Sequence, residues 1–185
     1  MKKKLLIIDR DGTLIEEPPE DFQVDSLDKM VMMAGAVEAM RHIQDQGQFE
    51  IIMVTNQDGL GTESFPEEDF WPPHNRMMEI LEDAGIQIGA TYIDKSFPED
   101  NAPTRKPKTG LLTSYIDSPD YDLANSWVVG DRITDLQLAQ NLGSKGILLL
   151  GSSLPIHEED MAKINIPMHK VTTWSHIPAL LFPKL

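Results

Sequence analysis

The chain has 185 residues, 41% of them hydrophobic, no cysteine and a formal net charge of −14. This length and apolar share suit one ordinary core, and the lack of cysteine excludes disulfides and thiolate metal ligands, which is compatible with the cytosol. The charge argues against a nucleic-acid partner; it either serves solubility alone or suits a small substrate carrying positive charge, and no apolar run approaches the roughly 18 residues of a membrane span.

The first predicted element is a strand over residues 4–9. The basic start Met1 to Lys4 precedes it, and the run Leu5-Leu6-Ile7-Ile8 is too short for a signal peptide. The run ends in Asp9-Arg10-Asp11-Gly12-Thr13, where two carboxylates repel each other and cannot be buried unpaired. Ala36, Val37, Met40 and Ile43 then share one helical face, with Gly47 as a stop. A strand over 49–55 leads into Thr55-Asn56-Gln57. Trp71-Pro72-Pro73 is expected to break a helical stretch, with Pro73 starting the next helix, on which Met77, Ile80, Leu81 and Ala84 align before Gly85.

A third strand is expected over 91–93. The loop Arg105-Lys106-Pro107-Lys108 follows, then a helix marked by Leu111, Leu112, Tyr115 and Ile116. A strand over 127–130 runs into Asp131-Arg132-Ile133-Thr134-Asp135, and Leu136, Ala139 and Leu142 mark a helix closed by Gly143. A strand over 147–150 comes next. The tail is less periodic, with an edge strand over 171–173 and a last helix over 174–182, although Pro178 lies inside it.

Short, nearly continuous apolar strands alternating with helices predict an α/β fold, a doubly wound parallel sheet of Rossmann type. We expect a single domain over 1–185, with its core about 1–150 and a less regular tail over 151–185. The stretch from Asp11 to Ala36 is far too short for an inserted cap domain. Ligands of such sheets bind at the carboxyl ends of the strands, where the polar motifs converge. Clustered carboxylates call for a divalent cation, and all-oxygen ligands suit Mg²⁺. Thr55, the amides around Gly12 and a lysine would cradle a phosphate. One aspartate can attack phosphorus and a second can move the proton.

Asp9-Arg10-Asp11-Gly12-Thr13 resembles the DxDGT signature of the haloacid dehalogenase superfamily. Val54-Thr55-Asn56-Gln57, Arg105-Lys106-Pro107 and Gly130-Asp131-Arg132-x-x-Asp135 are similar to its other motifs, in order. The resemblance implies Asp9 as nucleophile and metal ligand, and Asp11 as acid/base whose backbone carbonyl touches the metal. It implies Thr55, Asn56 and Lys106 as phosphate-binding residues, with Lys108 as the competitor to Lys106. Asp131 would ligate Mg²⁺, and Asp135 would support the metal site or bind it through water.

Leu14-Ile15-Glu16-Glu17-Pro18-Pro19, Asn56-Gln57-Asp58-Gly59-Leu60-Gly61-Thr62 and Pro73-His74-Asn75 resemble the histidinol-phosphate phosphatase family of histidine biosynthesis. The implied substrate is a small phosphate monoester with an amine and an imidazole, for which Glu17, with Gln57 and Asn75, is the expected contact. Close relatives carry a zinc clip of three cysteines and a histidine; here Asp94, Ser96, Ala102 and Thr104 stand at those positions, so no structural zinc is expected. The alternatives are a heptose-bisphosphate phosphatase, a polynucleotide 3′-phosphatase, which the acidic charge disfavours, and, from another class, a phospho-receiver domain. The family's phosphatase is often fused to a dehydratase domain, which would then be this chain's partner. Neither a nucleic-acid nor a membrane partner is expected, and the expected location is cytoplasmic.

Overall fold

A computed structural model describes residues 2–151 and 155–183. Residue 1, residues 152–154 and residues 184–185, all within the expected domain, lie outside the described residues. The strands are β1 (Lys4–Ile8), β2 (Phe49–Asn56), β3 (Ala90–Asp94), β4 (Trp127–Gly130), β5 (Lys145–Leu149) and β6 (Met168–Val171). They form one sheet in the order β3-β2-β1-β4-β5-β6, with every neighbouring pair parallel. The helices are α1 (Ala36–Gln46), α2 (Glu67–Asp83), α3 (Thr113–Ile116), α4 (Ile133–Leu142), α5 (Glu158–Met161) and α6 (Ile177–Leu181).

The near-continuous apolar strands follow from burial on both faces. Side chains alternate across the sheet. Leu6, Ile8, Ile51, Met53, Val129 and Ile147 join one cluster with α1, α2 and α6, while Leu5, Ile7, Ile52, Val54 and Val128 join a second with α3 and α4. The strand order reverses direction between β1 and β4, the switch point at which such sheets open a crevice. Asp9 and Asp131, each the first residue past its strand, flank that point. The Asp9 N–H donates to the Val129 carbonyl at 3.0 Å and so extends the ladder past the end of β1.

Two expectations are corrected. Trp71-Pro72-Pro73 does not break a helix: α2 runs through both prolines from Glu67 to Asp83. The donors lost at Pro72 and Pro73 free the carbonyls of Glu68 and Asp69, exposed residues that water can serve, while buried Phe70, Pro73, His74, Met77 and Leu81 hold the inner face. The tail is also more ordered than its pattern suggests. Its strand begins upstream of the expected position, at Met168, and pairs with β5. A 3₁₀ turn, Trp174–His176, leads into α6, where Pro178 sits in the first turn and its missing donor costs nothing. Trp174 is fully buried, and its indole N–H donates to the Thr13 carbonyl at 2.7 Å, tying the tail to the loop after β1.

Candidate active site

A cleft of about 640 Å³ opens at the carboxyl ends of the strands. Asp9, Asp11, Thr55, Lys106 and Asp131 line it, together with Glu17, Phe22 and Gln23 from the loop after β1 and Ile156, His157 and Asp160 from the segment around α5. Asp9, Asp131 and Asp135 are all buried, and each offers an oxygen within 4.8 Å of the others. Two glycines permit this crowding. A Cβ on Gly12, which has φ +71°, would lie 2.3 Å from Asp131 Oδ2, and one on Gly130 would lie 2.2 Å from Asp135.

Buried Lys106 spans two of these acids, its Nζ donating to Asp9 Oδ1 at 2.7 Å and to Asp135 Oδ1 at 2.8 Å. Burial alone would lower its pKa, but Asp135 and Asp9 outweigh burial and hold it above the ordinary lysine value, so it stays cationic. Lys108 also lines the cleft but is exposed, and it donates to the carbonyl and side-chain oxygens of Asn101 instead of to the buried acids. Asp131 has no such partner. Thr13 Oγ1 approaches its Oδ1 at 3.5 Å, and its Oδ2 is buried with no donor. Burial, reinforced by Asp9 and Asp135, pushes the Asp131 carboxyl up to about 8. A carboxylate oxygen left bare inside an acidic cluster fits a bound cation, and an all-oxygen donor set suits a hard ion such as Mg²⁺.

Asp11 is gripped from one side. Arg10 Nη1 donates to both its oxygens, at 3.0 and 3.2 Å, and Gln57 Nε2 to Oδ2 at 2.5 Å. Gln57 also donates to Thr55 Oγ1 at 2.8 Å and accepts from Arg10 at 3.3 Å, so its polar atoms serve Asp11 and Thr55 rather than standing free for a substrate. Arg10 is fully buried and its guanidinium lies 4.7 Å over the Phe70 ring. Phe70 stacks on His74, whose pKa burial and then Arg10 lower to about 4.

Other expected residues take different parts. The Asn56 side chain accepts from the Lys106 N–H at 3.0 Å and donates to the Lys106 carbonyl at 3.2 Å, so it shapes the lysine's backbone beside the cleft that it also lines. Asp135 has both oxygens engaged, one by Lys106 and the other by the Arg132 N–H at 3.1 Å. Asn75 is exposed on α2 and does not line the cleft, because the inward position of that turn belongs to His74. Glu17 lines the cleft with one oxygen bonded to Arg132 and the other, Oε2, buried without a donor. Burial raises its pKa against the opposing pull of Arg132. Arg10, Thr13 and Arg132 stand inside the motifs with no role assigned to them, and Trp174 lies outside them. Arg10 leaves a signal, a lone cation between two acids at the end of an apolar strand, whereas Trp174 leaves none.

Residues 103–172 match the HAD-hydrolase-like family model. The histidine biosynthesis bifunctional protein HisB of Bacteroides fragilis is 48% identical over 182 residues, which cover 98% of this chain and 48% of that protein. The same-named protein of Spirosoma linguale is 54% identical over 148 residues, 80% of this chain and 38% of the relative. The chain thus spans about half or less of the curated relatives it matches. Among solved structures, the D,D-heptose 1,7-bisphosphate phosphatase of B. bronchiseptica, complexed with magnesium and phosphate, superimposes with a TM-score of 0.79 at 26% identity. The match covers 96% of this chain and 97% of that one.

Proposed function

The chain belongs to the haloacid-dehalogenase-like hydrolases, and on that premise we propose that it is a Mg²⁺-dependent phosphomonoesterase that hydrolyses histidinol phosphate in histidine biosynthesis. The observation that carries the chemistry is the meeting of Asp9, Asp131, Asp135 and Lys106 at the sheet's switch point, with an Asp131 oxygen bare of any donor. The ion would be held by Asp9, Asp131 and the Asp11 carbonyl, with Asp135 in support, and would supply positive charge against the phosphoryl oxygens.

The Asp9 oxygen not held by Lys106 attacks phosphorus in line. The bond from phosphorus to the ester oxygen breaks as the aspartyl-phosphate forms, and protonated Asp11 gives its proton to the departing alkoxide. Asp11 then takes a proton from water, whose oxygen attacks the same phosphorus and frees the Asp9 carboxylate and inorganic phosphate. Lys106 and Thr55 hold the phosphoryl oxygens through both steps, and charge neutralisation supplies most of the rate. Arg10 and Gln57 keep Asp11 aimed.

The substrate assignment rests on the relatives at 48–54% identity and on Glu17. Glu17 lines the cleft and its Oε2 is buried with no donor, which leaves an acceptor for an ammonium or imidazole N–H of the substrate. The heptose-bisphosphate reading has one observation in its favour, the near-complete overlap with the B. bronchiseptica enzyme, at the lower identity of 26%. We further propose that segment 94–104 works without structural zinc, since Asp94, Ser96 and Thr104 offer oxygens and no thiolate. The deciding experiment is phosphate release with Mg²⁺ from histidinol phosphate, heptose bisphosphate and a 3′-phosphorylated oligonucleotide. A preference of tenfold or more for the first is expected, and a preference for either of the others defeats the substrate assignment.

A further inference from the structure

Asp94, the last residue of β3, is 3% exposed, yet it neither touches the cleft nor meets a charged donor. Its Oδ1 accepts from the Ser96 N–H at 3.0 Å and the Ser96 hydroxyl at 2.5 Å, and its Oδ2 from the Thr104 hydroxyl at 2.5 Å. A buried carboxyl served only by neutral donors is an expensive way to fill space, and an apolar residue would fill it at less cost. What the carboxyl achieves is connection: one oxygen holds the start of the loop after β3 and the other holds its end, two residues before Lys106.

The neighbouring strand repeats the device. Asn56, the last residue of β2, is paired in register with Asp94, and its amide grips the N–H and carbonyl of Lys106. Two adjacent strand ends thus hold residues 104 and 106 of one returning loop. Arg105 between them is fastened to both Asp58 oxygens, at 2.5 and 3.1 Å, and to the Ser96 carbonyl at 2.8 Å. The loop has three separate anchors around the residue whose ammonium must sit between Asp9 and Asp135.

We propose that Asp94 and Thr104 are positioning residues: their hydrogen bond is the latch that fixes the loop carrying Lys106 and so places the lysine ammonium against the phosphoryl group. This rests on the phosphatase reading above. Neither residue touches substrate, and the latch acts through Lys106 alone.

Thr104→Val removes the hydroxyl at constant shape, and Thr104→Ser restores it. The valine variant is expected to lose ~10-fold in kcat/KM, a displacement effect, on histidinol phosphate and on p-nitrophenyl phosphate alike, because Lys106 meets only the phosphoryl end. The serine variant should return to within about twofold on the same scale. Hydrogen exchange of amides 95–108 should quicken in the valine variant while that of β1 and β4 stays unchanged. Faster exchange with undiminished turnover, or a serine variant as impaired as valine, overturns the proposal, as does unchanged exchange. A loss seen on p-nitrophenyl phosphate in a protein that ignores histidinol phosphate supports the latch while defeating the substrate assignment. Where the unaltered protein hydrolyses neither compound, the phosphatase reading falls and the placement of Lys106 for phosphate falls with it, leaving exchange to judge the latch alone.

Discussion

Asp131 has a folded pKa near 8 against 3.8 for the free group, so proton uptake favours the folded state. That stabilisation is complete below pH 3.8 and is lost as pH rises through 8, where the carboxylate faces Asp9 and Asp135 with no counter-charge of its own. A bound dication restores it. Thermal unfolding should therefore show a larger Mg²⁺-induced rise in Tm at pH 8.5 than at pH 5.5, and Asp131→Asn should remove most of the difference. An equal rise at both pH values would place the ion elsewhere. Asp9→Asn should lower turnover by roughly 10³-fold or more, since the amide cannot attack phosphorus. Glu17→Ala should cost ~10-fold on histidinol phosphate, the worth of one charged hydrogen bond, and little on p-nitrophenyl phosphate. An unchanged ratio between the two substrates would remove Glu17 from the specificity account. Asp9 and Asp131 were legible in the sequence because each breaks an apolar run at a strand end, and Asp11 because it repeats the acid two residues on. The grip on Asp11 was not, because Arg10 and Gln57 meet only when β1 and β2 lie side by side.

Helix α2 carries two unusual burdens. Pro72 is exposed in its interior and removes a helical hydrogen bond, so Pro72→Ala should raise stability by about 1–3 kcal/mol, less whatever the unfolded chain gains in freedom. Urea unfolding measures it, and a loss of stability would mean that the proline sets the path of the helix. His74, on the inner side, has a folded pKa near 4 against 6.5 unfolded. On acidification the unfolded chain binds this proton first. Stability therefore falls as pH drops from 6.5 towards 4, by about 3 kcal/mol at most. His74→Phe should flatten urea midpoints across that window. The apolar periodicity around Met77 and Leu81 was enough to find the helix. The prolines misplaced its start because local propensity gave way to the burial of Phe70, Pro73 and His74 on the helix's inner face, where Phe70 joins Leu60 and Phe65.

At the scale of the molecule, the alternation of strands and helices made the parallel sheet readable, since burial on both faces writes itself as unbroken apolar runs. The tail hid its strand because Met168-His169-Lys170-Val171 lies at the sheet edge, where only Val171 is buried. Metal analysis of protein purified without added metal should return less than about 0.1 equivalent of zinc, the level expected where the sequence has no thiolate and the described residues hold no histidine set; stoichiometric zinc lost together with activity would refute the metal-free loop. The indole of Trp174 grips the loop after β1 across 161 positions of sequence. During synthesis Asp9 emerges from the ribosome long before Trp174, the residue that steadies the loop after β1. A released chain truncated after residue 160 keeps Asp9, Asp11, Lys106, Asp131 and Asp135 and should still hydrolyse almost nothing, so that hydrolysis switches on only once residue 174 has been made and has left the ribosome tunnel.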